Sequence, residues 1–364
     1  MKEIHPEAIE RLLIRGTNWV GDSVMSVPAM REIRRIFPRA RISLLVRPWV
    51  RDVYAGADFI DEILEFDKTQ THRGVAGLLR LASELRQRKF EVAVLLQNAI
   101  EAAILSWLAQ IPVRIGYARD GRGVILTHHC RIDPEVLKMH QAYYYLDVLT
   151  AARLLDGRPW QRSDYRLSID LAVRAADQAA AGQMLRDQGV EPGQTLIGIN
   201  PGAHYGGAKR WSSRRYAVVA DTLVSKFDAR ILVFGSPGER RVADEVASCM
   251  VHKPLVFAGR TTLGQLMGLI RECSLLITND SGPMHLAAAL AVPQVAIFGS
   301  TSDAATGPLS ERAVVIKEPV ECSPCFLREC PIDFRCMTRI TVERVLHAAE
   351  TILLSLGKRN GGRN

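Results

Sequence analysis

The sequence predicts an α/β protein made of two doubly wound, Rossmann-like domains. Short apolar runs alternate with amphipathic stretches along most of the 364 residues, a rhythm typical of parallel strands covered by helices on both faces. A mostly helical segment over about 139–190 interrupts this rhythm, which then restarts, and the chain is long enough for two hydrophobic cores. We therefore expect one domain at 1–170, a second at 171–340, and a C-terminal helix and tail at 341–364.

The apolar runs and the helical periodicities place the individual elements. Strands are predicted at 11–16, 41–47, 61–66, 91–97, 113–117, 195–200, 229–235, 254–259 and 313–318, with two more at the ends of the stretch 274–299. Helices are predicted up to about Phe37, over 73–89 and 98–109, up to about 226, and over 238–250, 262–271 and 341–356. A polar interruption at 156–168 is typical of a domain joint, and the tail 357–364 is predicted to be disordered.

Composition excludes several classes of protein. The hydrophobic content of 48% and the charged content of 24% are ordinary for a globular protein, and no apolar run approaches the ~20 residues of a membrane span. The first residues, MKEIHPEAIERLLIRG, lack the apolar segment of a signal peptide. We therefore expect a cytoplasmic protein.

A cluster of arginines contributes to the net charge of +8. An anionic lipid surface, a phosphorylated substrate or nucleic acid would attract such a cluster, and a solvated helix face is the alternative interpretation. No helix-turn-helix, zinc-finger or aromatic-interleaved basic motif accompanies it, so no nucleic-acid partner is expected. The cluster comprises Arg31, Arg34, Arg35, Arg39, Arg41, Arg47 and Arg51.

The stretch 274–299 predicts an anion site. An apolar run ends in the polar sequence Asn-Asp-Ser-Gly-Pro, and Gly282 with Pro283 is expected to open a short helix. Because a helix start presents free backbone N–H groups and a partial positive charge, a phosphate fits there without a metal ion. Asp280, Ser281 and His285 add hydroxyl and proton partners, so the site suggests a nucleotide sugar.

The first strand is followed by a loop that carries one carboxylate. Its sequence, GTNWVGDS at 16–23, imitates a phosphate-binding P-loop, but Asp22 replaces the lysine that would contact the phosphates. In one interpretation Asp22 caps the following helix, with Ser23 as the rival cap. In the other, Asp22 is a general base that takes a proton from an acceptor hydroxyl.

Two further loops follow strands of the second domain. In the loop after 195–200, three glycines let the backbone approach a ligand, and Lys209 and Arg210 are candidates to hold a diphosphate; an exposed turn with solvated cations is the alternative. In the loop after 229–235, Ser236 is a candidate phosphate or hydroxyl contact, and Glu239 a candidate partner of ribose hydroxyls. The Pro-Gly-Glu sequence there is equally a routine helix opening.

Four cysteines near the C-terminus have the spacing C-x2-C-x4-C-x5-C. The leading pair is typical of zinc or cluster ligands, but the second pair lacks this spacing and the segment lies far in sequence from the polar loops. We favour reduced or structural thiols, and therefore expect no metal and no cofactor. The four residues are Cys322, Cys325, Cys330 and Cys336; the remaining Cys130, Cys249 and Cys273 are typical thiols of a reducing compartment.

Taken together, these motifs resemble those of the bacterial ADP-heptose:lipopolysaccharide heptosyltransferases, glycosyltransferase family 9. The resemblance extends through nearly the whole chain, and the N-W-V-G-D and A-K-R-W strings are similar to members that add the second heptose of the core. It is carried by GTNWVGDSVMSVPAMREI, NPGAHYGGAKRWSSRRYAVVADTLV, NDSGPMHLAAALAVPQVAIFGSTS and the cysteine segment ending at Cys336-Met337.

The resemblance implies a GT-B fold, with an acceptor-binding first domain and an ADP-heptose-binding second domain around a central cleft. It implies transfer with inversion and no required metal, onto the first heptose of a phosphorylated lipid A–Kdo–heptose acceptor at the inner membrane surface. Asp22 would be the catalytic base, Lys209 would contact the leaving diphosphate, and Glu239 would face the ribose. The phosphate and heptose site would be lined by Asp280, as a sugar-hydroxyl partner, and by Ser281, Gly282 and His285.

Three alternatives remain open at this point. The first is a family member with a different acceptor, such as the enzyme that adds the first heptose. The second is a nucleotide-sugar epimerase of the same architecture, and the third is a nucleotide-sugar-binding protein without turnover. An epimerase would convert its donor with no acceptor present. A binding protein would bind ADP-heptose and never turn it over.

Overall fold

The computed structural model of the chain describes residues 3–155, 161 and 167–360. It divides into two compact units, Met1–Leu171 and Ala172–Asn364. The joint expected at 156–168 lies outside the described residues except for 161, 167 and 168. The end of the tail, 361–364, also lies outside them, whereas helix is observed through Asn360, where the sequence predicted disorder from 357.

The first unit contains a parallel sheet of six strands in the order β3-β2-β1-β4-β5-β6. The central strand pairs with β2 on one side and β4 on the other, and Leu12, Leu13 and Ile14 are almost fully buried. A strand covered on both faces is apolar throughout, which is why the run at 11–16 was recognisable. The strands are β1 Arg11–Arg15, β2 Arg41–Val46, β3 Glu62–Glu65, β4 Val92–Leu95, β5 Val113–Tyr117 and β6 His128–Cys130.

Helices cover this sheet and connect its strands. They are α1 Val20–Met25, α2 Val27–Ile36, α3 Gly74–Gln87, α4 Ile100–Leu108 and α5 Gln141–Asp147, with 3-10 turns at Pro6–Ala8, Pro48–Tyr54, Arg122–Val124, Val136–Lys138 and Val148–Ala152. Strand β6 was not predicted, because its sequence His-His-Cys has neither apolar length nor alternation. Only its pairing with β5 defines it.

The second unit repeats the arrangement with six further parallel strands in the order β12-β11-β10-β7-β8-β9. Its strands are β7 Leu196–Asn200, β8 Arg230–Val233, β9 Leu255–Val256, β10 Leu275–Asn279, β11 Gln294–Phe298 and β12 Ala313–Lys317. The run at 254–259 yields only the two residues of β9, at the edge of the sheet. The other predicted strands are confirmed within a few residues, and with them the α/β, doubly wound class.

The helices of the second unit are α6 Ala175–Asp187, α7 Ser213–Phe227, α8 Arg240–Cys249, α9 Leu263–Glu272, α10 Gly282–Ala289, α11 Asp303–Thr306, α12 Arg335–Thr338 and α13 Val342–Asn360, with 3-10 turns at Gly207–Lys209 and Pro237–Glu239. Helix α13 packs into the core of this unit through Val345, Ala349 and Leu353. No helix in the described ranges is long and apolar enough to cross a membrane.

Both sheets place their first strand beside the fourth strand of the same unit, so β1 lies next to β4 and β7 next to β10. Strand order reverses at these points, and loops leaving the carboxyl ends of two such neighbours turn away from each other and leave a crevice. Asp22 follows β1, Lys209 follows β7 and Asp280 follows β10. The topology therefore brings the candidate residues to the strand ends at which ligands bind in this class of fold.

Candidate active site

The second unit brings Lys209 and Asp280 into direct contact. The Lys209 Nζ atom lies 2.6 Å from Asp280 Oδ2, and the Thr301 hydroxyl donates to the same oxygen at 2.6 Å. Both charged side chains are largely buried, with 13% of Lys209 and 5% of Asp280 exposed. Two residues that the sequence assigned to different parts of a donor therefore form one ion pair, and Thr301 is a partner that sequence reasoning missed.

Helix α10 begins beside this ion pair, at Gly282, as predicted from the Gly-Pro sequence. The Ser281 hydroxyl does not cap the helix; it accepts a hydrogen bond from Asn200 Nδ2 at 3.0 Å and lies 3.2 Å from Thr278 Oγ1. His285 lies one turn into the helix and is 4% exposed. Pro283 has no N–H and the Met284 N–H donates to the Ser281 carbonyl at 3.2 Å, so the start of α10 offers an anion the Gly282 N–H and the positive end of the helix dipole.

Asn279 joins the loops after β7 and β10, and sequence reasoning gave it no role. Its Oδ1 accepts from the backbone N–H of Trp211 at 3.1 Å and from the Tyr216 hydroxyl at 2.9 Å, while its Nδ2 donates to the Pro201 carbonyl at 2.7 Å. The side chain is fully buried, so these bonds are costly to break. Asn279 thereby fixes the glycine-rich loop that carries Lys209 to the strand that carries Asp280.

Ser236 and Glu239 pair with each other at the start of α8. Glu239 Oε2 accepts from the Ser236 N–H at 2.8 Å and from the Ser236 hydroxyl at 2.7 Å, as in the helix-opening interpretation. The carboxylate also lies against Gly202, where a Cβ atom would clash with it. The loops after β7 and β8 are thus packed together through the Glu239 carboxylate and Gly202. The roles of Ser236 and Glu239 toward a ribose stay predictions.

Arg210 does not accompany Lys209 toward Asp280. Its guanidinium donates to the Ala203 carbonyl of its own loop at 3.4 Å. The expected pair of cations is therefore reduced to one cation at the start of α10 and one that stabilises the loop.

The cysteine segment lies directly against the glycine-rich loop, so its distance in sequence was a poor guide to its place in the fold. The Tyr205 hydroxyl donates to the Phe326 carbonyl at 2.6 Å, and the Ala208 N–H donates to the Arg328 carbonyl at 2.9 Å. Gly206 is needed there because a Cβ atom would clash with the Arg328 backbone. The segment between Cys322 and Cys336 therefore supports the loop that carries Lys209.

The four thiols of this segment differ in exposure. Cys322 and Cys325 are exposed, Cys330 is half-buried and Cys336 is buried, and all four are free. Burial, together with the neighbouring thiols, raises the pKa of Cys336. No group of three or more His, Cys, Asp or Glu residues within the described ranges is arranged to hold a metal ion. The expectation that this segment binds no metal stays a prediction of the sequence.

Asp22 lies in the first turn of α1 and is half-buried. The residue that precedes the helix is Trp19, so the interpretation of Asp22 or Ser23 as the helix cap was wrong. The hydroxyl of Tyr145, from α5, donates to Asp22 Oδ1 at 2.9 Å. Burial and the nearby Asp22 carboxylate raise the pKa of Tyr145 well above its ordinary value. Sequence reasoning missed Tyr145, since nothing in a tyrosine of a helical segment indicates a contact 123 residues away.

Arg15 holds the loop that leads to Asp22. Its guanidinium is 1% exposed and donates to the Gly16 carbonyl at 2.5 Å, the Leu45 carbonyl at 3.2 Å and Asn18 Oδ1 at 3.1 Å. Burial lowers the pKa of Arg15 to about 9, with the Arg47 guanidinium acting in the same direction. Among the described residues, the hydrogen-bond acceptors of this buried cation are all neutral.

Arg122 has the same character at the ends of β4 and β5. It is fully buried and donates to the carbonyls of Tyr117 and Gln97 at 2.7 and 2.5 Å, and to Asn98 Oδ1 at 2.9 Å. Burial lowers its pKa as well. Two buried guanidinium groups therefore lie near the strand ends of the first unit, both bonded to neutral oxygens.

Arg47 and Lys68 share one carboxylate at the same edge. Arg47 is 6% exposed and lies 3.5 Å from Glu101 Oε1, and Lys68 forms an ion pair with the other Glu101 oxygen. Arg47 also donates to the Phe66 carbonyl at 3.0 Å and stacks over the Phe66 ring at 4.2 Å. Two cations against one shared carboxylate leave this edge attractive to an anion.

The arginine cluster predicted from the sequence is divided by strand β2. Arg41 begins the strand and Arg47 follows its end, so the cluster is divided between the amino and the carboxyl ends of the strands. Most of its members are paired with carboxylates, and such exposed pairs are worth little. The pairs are Arg31–Asp58 at 3.3 Å, Arg35–Glu32 at 2.6 Å, Arg41–Glu62 at 3.9 Å, Arg51–Glu65 at 3.0 Å and Arg34–Asp61.

The sequence profile of glycosyltransferase family 9 (heptosyltransferase) matches residues 78–334. The chain is 36% identical over 349 residues to a lipooligosaccharide heptosyltransferase 2 of Campylobacter jejuni, covering 94% of this chain and 98% of that protein. It is 30% identical over 315 residues to a lipooligosaccharide heptosyltransferase 2 of Haemophilus influenzae, covering 84% and 88% of the two proteins.

The structure is similar to that of the E. coli ADP-heptose lipopolysaccharide heptosyltransferase II, with a TM-score of 0.82 and 26% identity. The likeness covers 96% of this chain and all of the other, and it confirms the predicted GT-B fold class. The predicted enzyme class is confirmed as well: the chain belongs to glycosyltransferase family 9, the heptosyltransferases.

Proposed function

We propose that the chain transfers L-glycero-D-manno-heptose from ADP-heptose to the first heptose of a lipid A–Kdo–heptose acceptor, with inversion at the sugar carbon. The observation that carries this proposal is the meeting of Lys209, Asp280 and the start of α10 at the ends of β7 and β10. Relatives named heptosyltransferase 2 support the choice of the second heptose.

On the donor side, Lys209 and the positive N-terminal end of α10, with the Gly282 N–H, would hold the diphosphate. Both carry positive charge to the oxygen that becomes negative as ADP leaves, so the chain itself supplies the charge stabilisation that the leaving group needs. When the ammonium turns toward the diphosphate, Asp280 keeps its hydrogen bond from Thr301 and can accept from a sugar hydroxyl.

The rest of the donor would be held by residues around this pair. Glu239 would accept from the ribose hydroxyls, and Ser236 would contact the ribose or a phosphate. The heptose and phosphate contacts are assigned to Ser281, Gly282 and His285, which lie in and around the first turn of α10. No metal or other cofactor is part of the proposal.

On the acceptor side, Asp22 would act as the general base. The acceptor hydroxyl oxygen forms a bond to the anomeric carbon, the bond from that carbon to the β-phosphate oxygen breaks, and ADP leaves with the electron pair. The hydroxyl proton passes to the Asp22 carboxylate. Asp22 suits this role because it is half-buried at the strand ends and is oriented by a neutral donor.

An anionic acceptor suits the first unit. Arg47 and Lys68 share Glu101, and the buried Arg15 lies close enough to Arg47 for their charges to interact. Phosphate groups of a glycolipid would be attracted to this edge. The proposal includes a cytoplasmic location with peripheral contact at the inner face of the inner membrane, where such an acceptor meets a nucleotide-sugar donor.

The test measures ADP release by the purified full chain with ADP-heptose and two acceptors, lipid A–Kdo with and without the first heptose. We expect release only with the heptose-bearing acceptor. Release only with the acceptor that lacks heptose would overturn the second-heptose assignment and favour addition of the first.

Two control reactions address the other classes of function. Conversion of ADP-heptose with no acceptor present would indicate an epimerase. Saturable binding of ADP-heptose without turnover on any acceptor would indicate a binding protein. Full activity after treatment with EDTA is expected, and loss of activity that added metal restores would contradict the assignment of no cofactor.

A further inference from the structure

The Tyr145 hydroxyl donates a hydrogen bond to the Asp22 carboxylate. The hydroxyl oxygen lies 2.9 Å from Asp22 Oδ1, which is within the normal range of an O–H···O hydrogen bond. The two residues come from different helices, α1 and α5, which pack together in the first unit. The contact therefore depends on the folded unit.

The surroundings of Tyr145 hold the hydroxyl in place. The side chain is 5% exposed, and its ring packs edge-to-face with Tyr144 at 5.7 Å. The Gln141 side chain, one turn earlier in α5, lies near enough to the Tyr145 hydroxyl to offset part of the rise in the pKa of Tyr145. Because burial raises the pKa of Tyr145, the phenol stays neutral at neutral pH and its hydroxyl remains a donor.

We propose that Tyr145 is a positioning residue for Asp22: its hydroxyl holds the Oδ1 oxygen and so fixes the orientation of the carboxylate that receives the proton of the acceptor hydroxyl. This inference rests on the proposed function, in which Asp22 is the base. A base must be held in line with the proton that it removes, and a hydrogen bond from a buried, rigidly packed phenol restricts the rotation of the Asp22 carboxylate. Tyr145 itself touches neither substrate in this scheme.

Tyr145→Phe removes the hydroxyl and keeps the ring. We expect kcat to fall by about 10- to 100-fold, the range given by the loss of one hydrogen bond to a charged group. The KM for ADP-heptose should stay within about twofold, since the proposed donor residues belong to the second unit. Gln141→Leu, which leaves the Tyr145 ring untouched, should lower kcat in the same direction by a smaller factor.

Tyr54→Phe is the matched control. Tyr54 is also buried, and its hydroxyl donates to the Ser23 carbonyl of the same helix α1 at 3.0 Å. The change removes a tyrosine hydrogen bond from α1 without touching the Asp22 carboxylate. A comparable loss of unfolding free energy in Tyr54→Phe and Tyr145→Phe, with a loss of kcat only in the second, is the expected result.

A double-mutant cycle separates positioning from general damage. In an Asp22→Asn background, Tyr145→Phe should change the residual turnover by less than about threefold, because Tyr145 acts through the carboxylate that is already gone. An equal loss in both backgrounds would overturn the proposal, as would an unchanged kcat in Tyr145→Phe. If Tyr145→Phe does not fold, Gln141→Leu decides, and wild-type kcat in that variant counts against the proposal.

The cycle also distinguishes this inference from the proposed function. If Asp22→Asn retains full turnover, the base assignment fails and the role of Tyr145 fails with it. If Asp22→Asn is inactive while Tyr145→Phe is fully active, only the inference about Tyr145 fails.

Discussion

The two units have the same sheet topology, but the charged groups at their strand ends are arranged differently. Each is a six-stranded parallel sheet with its first strand beside its fourth, and each carries its candidate residues beyond those strands. In the first unit, buried Arg15 and Arg122 donate to neutral oxygens, and the carboxylate Asp22 accepts from a neutral phenol. In the second unit, the cation Lys209 is paired with the carboxylate Asp280, and Asn279 fixes the loop.

A site can attract an anion either through buried cations that have no carboxylate partner or through a cation that an anion can draw out of an ion pair. The buried guanidinium groups bond to neutral oxygens and keep their charge at neutral pH although burial lowers their pKa, so a positive edge is maintained in the unit that carries Asp22, the proposed base. An ion pair keeps a cation balanced until a stronger anion such as a diphosphate competes for it. In the proposed reaction, the first unit would therefore attract the phosphorylated acceptor, and the second would hold the departing ADP.

The largest effect is expected when one carboxylate of each unit is replaced by an amide, in two separate variants. Asp22→Asn should lower turnover by about 10²- to 10⁴-fold with ADP binding unchanged, because only base catalysis is lost. Asp280→Asn should weaken the binding of ADP-heptose relative to that of ADP, because the heptose hydroxyl loses its charged acceptor. Turnover and calorimetric titrations of both variants with ADP and with ADP-heptose check this, and turnover that survives in Asp22→Asn would remove the distinction between the units.

The next effect concerns stability. Arg122→Met leaves two buried carbonyls and the Asn98 side chain without their donor, and should lower the free energy of unfolding by about 3 kcal/mol. Arg35→Ala breaks only an exposed pair with Glu32 and should change it by less than about 1 kcal/mol. Urea unfolding of both variants gives the comparison, and equal values would show that the buried guanidinium is not a structural element of the first unit.

A smaller effect is expected at the cation of the second unit. Lys209→Met should weaken ADP binding by about 10- to 100-fold, since a charge-assisted contact to the diphosphate is lost. Arg210→Met is the matched control, because Arg210 bonds to its own loop, and its ADP affinity should stay within about threefold. Equal losses in the two variants would assign the binding to general positive charge in the loop.

The smallest effect tests the packing of the loops after β7 and β8. Gly202→Ala places a methyl group against the Glu239 carboxylate, and displacing that side chain should weaken ADP binding by about threefold to tenfold. Gly238→Ala adds the same methyl group where no atom lies within 4 Å and should leave binding unchanged. Normal ADP affinity in Gly202→Ala would contradict the assignment of Glu239 to the ribose.

Elements that depend on local pattern were predictable. The buried strand β1 reads as a continuous apolar run, and Gly282 with Pro283 marks the start of α10 because the first turn of a helix tolerates proline and small residues. The short edge strands were not, since β6 has a polar sequence and β9 has only two residues. Their pairing depends on neighbours rather than on their own side chains.

By itself, the sequence determined the α/β alternation, the polar loops that carry Asp22, Lys209 and Asp280, and the resemblance to glycosyltransferase family 9. Periodicity and loop chemistry are properties of adjacent residues, so they can be recognised without a fold. The tertiary structure alone decided that Tyr145 meets Asp22, that the cysteine segment supports the loop of Lys209, and that strand β2 divides the arginine cluster. Those contacts join residues far apart in the chain, and only the order of strands in the folded sheets brings them together or keeps them apart.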